Sequence, residues 1–147
     1  MKIRTTENST KNLSETAIQL WFQLSRAYHL QLKNYSQFLK KWNFTISQFE
    51  LLVKVGENEH ISQKQLAEMM FFTKGNITQL IIKMEKEGYL TREQNWKTKY
   101  ILLTAKGRAV YEQMIPEQRQ FFLKRFKGLS IKEQKQFIQL MEKLDNQ

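Results

Sequence analysis

Between Ser62 and Thr104 the chain reads SQKQLAEMMFFTKGNITQLIIKMEKEGYLTREQNWKTKYILLT, which divides into a short helix, a tight turn, a longer helix closed by a glycine, and a lysine-rich hairpin. Each piece has its own physical signal. Ser62 followed three residues later by Gln65 forms a capping box, in which each side chain satisfies an orphan backbone donor of the other residue. Ile61 and Leu66 stand where a hydrophobic staple fixes the entry angle. Leu66, Ala67 and Met70 then fall on one helical face, and Ala67 is small enough for a second helix to approach closely. After Phe71 and Phe72, Thr73 caps the longer helix, whose Ile77, Leu80, Ile81 and Met84 make an apolar stripe at the 3.6-residue period. Gly88 ends it, because glycine takes the left-handed C′ conformation at no steric cost.

Turning 100° per residue away from that stripe puts Gly75, Gln79 and Lys86 on the opposite face, with Asn76, Thr78 and Lys83 on its flanks. Gln and Asn can make paired hydrogen bonds to adenine, Lys favours guanine or phosphate, and Thr can touch the thymine methyl. A solvated helix face would have a similar composition, and the hairpin that follows decides between the two readings. Tyr89 to Gln94 and Thr98 to Leu103 are rich in aromatic and β-branched residues, with Asn95, Trp96 and Lys97 as the turn. Arg92, Lys97 and Lys99 concentrate positive charge on this ribbon, against Glu93 alone. A basic ribbon beside a polar helix can straddle backbone phosphates and reach a neighbouring minor groove. Trp96 is expected to pack back on the hairpin rather than insert against a duplex.

Helix, turn, helix and ribbon in this order make a winged helix-turn-helix, a module that reads double-stranded DNA. Its candidate base-reading residues are Lys74, Gly75, Asn76, Thr78, Gln79 and Lys83. Ser62, Gln63, Lys64 and Thr73 at the helix starts, with Arg92, Lys97 and Lys99 on the ribbon, are the candidate backbone contacts.

Composition points the same way. A formal charge of +10 and a pI near 9.8 favour a polyanionic partner, either nucleic acid or an anionic membrane surface. No stretch approaches the roughly 20 apolar residues of a membrane span, and MKIRTTENSTKN lacks the apolar core of a signal peptide, so a cytoplasmic protein is expected. Cysteine is absent, which excludes disulfides, thiol redox sensing and cysteine-based metal sites.

Both ends read as helices built to associate. From Asn12 to Trp42, Ala17, Trp21, Leu24, Tyr28, Leu32, Tyr35, Phe38, Leu39 and Trp42 recur at steps of three or four, a stripe too long for one small domain to cover. No acidic residue occurs from Thr16 to Phe49. Ser47 with Glu50 reads as a second capping box, stapled by Ile46 and Leu51, opening a helix that ends near Gly56. Beyond the hairpin, Thr104 caps a helix through Ala105, Ala109, Val110 and Met114, which Pro116 kinks or restarts. Phe121, Phe122 and Phe126 extend the apolar pattern to Gly128. Ser130 with Glu133 caps a last helix carrying Phe137, Ile138, Met141 and Leu144. The expected fold is therefore mainly α with a small β-hairpin wing, a winged helix-turn-helix core flanked by N- and C-terminal dimerisation helices. Residues 1–11 form a flexible tail, 12–43 and 109–147 the dimerisation helices, and 44–108 the DNA-binding domain. Trp21, Leu24, Phe137 and Met141 are the candidate dimer contacts.

The run LAEMMFFTKGNITQLIIKMEKEGYLTR followed by LTAKG, preceded by ISQFELL and a long first helix, resembles the MarR family of bacterial transcription regulators across nearly the whole chain. The resemblance implies a homodimer whose winged helices each read half of a palindromic operator, with regulation by small aromatic or amphipathic ligands bound between the domains. Trp21, Tyr28, Trp42, Phe71, Phe72 and Tyr111 are the candidate pocket. The implied function is a sequence-specific regulator, a repressor released by its ligand. The wing departs from the family pattern: EQNWKTKYIL has no Asp and no second Arg. Ile82 stands where many members carry a charge.

Other chemistries find little support. Only His29 and His60 are present, with no paired carboxylates and no Gly-rich phosphate loop, so no enzyme, cofactor or metal site is expected. His29 reads as a packed or surface residue, and His60 beside Glu57 and Glu59 as exposed loop charge. The alternative of a different class is a basic helical protein that binds nucleic acid or an anionic membrane surface without sequence specificity.

Overall fold

The computed structural model describes residues 2–58 and 60–146, with side chains from residue 9 onward. Helix α1 spans Lys2–Leu39 and passes into a 3₁₀ turn over Lys40–Trp42. Residues 2–11, expected as a flexible tail, thus continue the helix. Once nucleated, a helix gains a hydrogen bond for every residue it adds. The local hydroxyls also fit: Ser14 donates to the Lys11 carbonyl and Thr16 to that of Asn12, each at 2.9 Å. Side chains on several faces of α1 remain uncovered in the single chain, among them Leu13, Ile18, Leu20, Trp21, Phe22 and Tyr28.

Helix α2 spans Ile46–Glu57. It starts one residue before Ser47, so Thr45 stands at the cap position and the expected Ser47–Glu50 box does not open the helix. Strand β1 (Ile61–Ser62) leads into α3 (Gln63–Met69), a turn, α4 (Lys74–Lys86), β2 (Leu90–Asn95) and β3 (Thr98–Leu103). The sheet is antiparallel in the order β1-β3-β2, with Ile61 opposite Ile101 and Leu90 opposite Leu103. The third strand was not expected. Two residues are too few to show an alternating pattern, and Ser62 serves both as strand end and as the cap of α3.

The core of the winged unit follows the expected stripes. Leu66 of α3, Ile77, Ile81 and Met84 of α4, and Ile101 of β3 are all buried, together with Phe49, Leu51 and Leu52 of α2. Helix α5 (Ala105–Phe126) contributes Met114, and α6 (Ile131–Asp145) closes the chain. Pro116 lies inside α5 and no new helix begins there. It removes a single donor, and both Pro116 and Glu112, whose carbonyl loses its partner, are exposed to water. Gly56 lets the Tyr111 ring approach closely: a Cβ there would lie 2.7 Å from the ring, which would have to shift. At the start of α6, Ser130 and Glu133 complete the expected capping box. The backbone and side-chain hydrogen bonds to Ser130 hold the Glu133 carboxyl below its ordinary pKa.

Candidate nucleic-acid interface

Helix α4 is anchored on one side and open on the other. Ile77, Ile81 and Met84 are buried, while Lys74, Gly75, Asn76, Gln79 and Lys83 are exposed. Thr73 caps the helix by accepting the Asn76 N–H. Its C-terminus is a Schellman motif: the Tyr89 N–H bonds the Met84 carbonyl at 3.0 Å and the Gly88 N–H that of Glu85 at 2.9 Å, with Gly88 at φ +84°. Both ends are therefore fixed by side-chain or backbone partners. A Cβ on Gly75 would meet nothing within 4 Å, so packing does not require a glycine there. Ile82 is 42% exposed.

Three of the candidate contacts, Gln63, Thr78 and Ser62, are engaged within the protein. The Gln63 amide donates to the Thr78 hydroxyl at 2.7 Å, and that hydroxyl donates to the Lys74 carbonyl at 2.7 Å. Thr78 is half-buried, so its hydroxyl ties α3 to α4, leaving its methyl as the group able to meet a base. Ser62 is buried and its hydroxyl bonds within the capping box. Lys64 is exposed beside it. Between α3, the start of α4 and the wing lies a cleft of about 670 Å³ whose walls include Gln63, Lys64, Phe72, Lys74, Lys97 and Lys99. Four ammonium groups against the single carboxylate of Glu68 give the cleft a positive field.

The wing divides its charges between two tasks. Arg92 makes a bidentate pair with Glu85 of α4, Nε to Oε1 at 2.7 Å and Nη2 to Oε2 at 2.6 Å. The hydrogen bond to Glu85 raises the guanidinium pKa above its ordinary value. Arg92 was expected among the charges facing a duplex; its fork is committed instead to holding the wing against the recognition helix. Glu85 and Arg92 lie in different elements on either side of Gly88, so neither helical nor strand spacing signals the pair in the sequence. Lys97 and Lys99 remain exposed toward the tip. The turn is Trp96–Lys97 alone, since Asn95 pairs with Thr98. Trp96 does not pack back on the hairpin: it is 84% exposed, at φ +55°. Adjacent strands this narrow offer no concave face to receive an indole, and a non-glycine residue in this region costs about 1–2 kcal/mol.

The LTAKG segment joins the wing to α5 and secures the end of α4. The Thr104 hydroxyl accepts the Gly107 N–H at 3.0 Å and donates to the Gly88 carbonyl at 2.5 Å. Lys106 donates to the Glu87 carbonyl at 2.7 Å, its ammonium 4.4 Å from the centre of the Tyr89 ring. Gly107 is buried where a Cβ would lie 2.1 Å from the Tyr89 carbonyl oxygen. From the other side, the amide of buried Gln48 reaches the Glu87 carboxylate at 3.4 Å.

The candidate dimer contacts are open in the single chain: Trp21 is 65% exposed, Leu24 38% and Phe137 48%, with Met141 half-buried. The candidate pocket residues are placed less uniformly. Trp21 and Tyr28 are exposed on α1, Trp42 is half-buried with its indole N–H buried and without a partner, and Phe72 lines the basic cleft. Tyr111 packs against Gly56. Phe71, expected in the pocket, is 96% exposed at φ +53° in the turn before α4, and so lines no cavity of its own chain. Among the described residues no helix is long and apolar enough to cross a membrane.

Comparison with known proteins places this arrangement. Residues 44–97 match the sequence pattern of the MarR family. An uncharacterized HTH-type transcriptional regulator of Bacillus cereus is 36% identical over 126 residues, covering 85% of this chain and 86% of the relative. The fold is shared with MepR of S. aureus in its DNA complex, at a TM-score of 0.77 and 18% identity over 85% of this chain and 94% of that one. It is shared equally with BpsR of Bordetella bronchiseptica, at a TM-score of 0.77 and 22% identity over 86% and 98% of the two chains. A buried α4 stripe, a glycine-capped helix end, a basic wing and similarity to a helix-turn-helix regulator over 85% of the chain agree: the chain belongs to the MarR family of transcription regulators.

Proposed function

We propose that α4 enters the major groove of double-stranded DNA and reads it with Asn76, Gln79 and Lys83, while Lys74, Lys97 and Lys99 meet phosphates on either side. The observation that carries this reading is the contrast across α4, where Ile77, Ile81 and Met84 are buried while Lys74, Asn76, Gln79 and Lys83 are exposed. Gly75 supports it. It lies in the first turn of α4 with nothing within 4 Å of where a Cβ would stand, so packing does not ask for a glycine there, and its bare backbone leaves room for close approach to a ligand. The capped start of α4 also presents free N–H groups suited to a phosphate. Ser62, Gln63 and Thr73 act behind this surface by holding α3 and α4 in place.

Two protomers joined through the apolar faces of α1 and α6 present two such helices to a palindromic operator. Residues 12–43 and 109–147 form the dimerisation region and 44–108 the reading unit of a cytoplasmic repressor. A small aromatic or amphipathic ligand releases it by favouring a spacing that cannot dock on both half-sites. BpsR, whose DNA binding is regulated by 6-hydroxynicotinic acid, lends this part support. A 100-fold preference of the ligand for the released state corresponds to about 2.7 kcal/mol of coupling.

Selection of duplexes from a random pool tests the function. The protein is expected to enrich one palindromic sequence and to bind it at least about 10³-fold more tightly than random duplex at physiological salt. Equal affinity for all duplexes would leave only a basic protein that coats nucleic acid.

A further inference from the structure

We propose that the Trp96 indole is a wedge that enters the minor groove beside each half-site and reads the flexibility of the base step there. The inference rests on the DNA-reading function proposed above. Trp96 is the first of the two turn residues at the tip of the wing, 84% exposed and in a left-handed backbone conformation that a glycine would adopt without penalty. A positive φ at the first turn position and not at the second is the pattern of a type II′ turn, where glycine is the favoured residue. Here a large aromatic side chain is held in its place. The turn is also fixed rather than loose, since the Gln94 side-chain amide donates to the Trp96 carbonyl at 3.0 Å.

The surroundings select the partner. From Gln94 to Lys99 the tip carries two lysines and no carboxylate. The nearest acid along the chain, Glu93, lies back on β2 at 3.9 Å from His60. The Lys97 ammonium sits 5.1 Å from the centre of the indole ring. An apolar wedge flanked by ammonium groups matches a minor groove, whose floor is the stacked base pairs and whose rims are phosphates. Apolar side chains placed there part a base step and bend the duplex toward the major groove. Pyrimidine–purine steps such as TA yield easily, whereas A-tracts are stiff. Trp96 thereby adds specificity at a position that no hydrogen bond reads, in a wing that lacks a second arginine.

The test uses the full-length protein and the duplex it enriches from a random pool. That duplex is made with either a TA step or an A-tract under the wing, and 2-aminopurine placed beside the step reports unstacking. Wild-type protein is expected to favour the TA form by about 10-fold, in line with the cost of one mismatched position, and to raise the 2-aminopurine fluorescence. Trp96→Gly is expected to lose both the preference and the fluorescence change while keeping the wild-type salt dependence. Its melting temperature should rise by about 3 °C as the backbone penalty is relieved. Trp96→Phe should restore part of the preference. Lys97→Ala should behave oppositely, weakening all duplexes alike and lowering the salt slope by about one unit. If Trp96→Gly keeps the step preference, or weakens random and selected duplexes equally, the wedge is excluded while sequence reading stands. If wild-type protein distinguishes no duplex at all, the DNA-reading function fails and the wedge fails with it.

Discussion

Replacing Gly107 with alanine is expected to lower the stability of the winged unit by about 3 kcal/mol. A Cβ there would stand 2.1 Å from the Tyr89 carbonyl oxygen, and that oxygen is a backbone atom already bonded to the Thr104 N–H at 3.1 Å. Neither partner can give way alone. Moving Tyr89 pulls on the Schellman cap of α4, and moving α5 breaks the Thr104 cap and the Lys106 bond to Glu87. Urea unfolding measures the effect as a shift in midpoint, with Gly75→Ala as the control. Because nothing lies within 4 Å of a Cβ at Gly75, that variant is expected to be neutral or up to about 1 kcal/mol more stable. It should nonetheless bind the selected duplex less well. A Gly107→Ala protein as stable as wild type would show that the junction between wing and α5 is not a tight joint.

Trp21→Asp is expected to convert the dimer to a folded monomer at micromolar concentration. Trp21 is 65% exposed in the single chain, so the new carboxylate is solvated in the monomer and buried only on association. An unpaired charge in such an interface costs about 3–5 kcal/mol, which raises the dissociation constant by roughly 10² to 10³ or more. Light scattering reads the mass and circular dichroism the helix content. Operator affinity should collapse with the mass, because a monomer reaches one half-site at a time. A Trp21→Asp protein that remains a dimer would move the interface elsewhere on the chain.

The sequence disclosed the parts of the fold that rest on local rules. Ser62, Thr73, Thr104 and Ser130 all cap the helices they were expected to cap, and Gly88 takes the predicted left-handed turn. Ile77, Ile81 and Met84 are buried as their spacing requires. What stayed hidden depends on contacts between distant residues or on competition between equivalent local choices. Ser47 and Thr45 both offer a hydroxyl near the start of α2, and spacing alone does not choose between them. The Arg92–Glu85 pair and the Gln63–Thr78 bond cross from one element to another, so charge and polarity assigned to the surface turn inward. Trp96 misled because burial is the ordinary fate of an indole, and only the geometry of a two-residue turn shows that nothing is there to bury it.

Whether α4 reads sequence is decided by Gln79→Ala measured on two duplexes. Gln79 is exposed on the open side of a helix whose opposite side is buried, so removing its amide should leave the fold unchanged. Affinity for the selected duplex is expected to fall by about 1–3 kcal/mol, or roughly 5- to 150-fold, with little change on random duplex at the same salt concentration. Equal loss on both duplexes would contradict the claim, showing that α4 positions the protein on DNA without reading it.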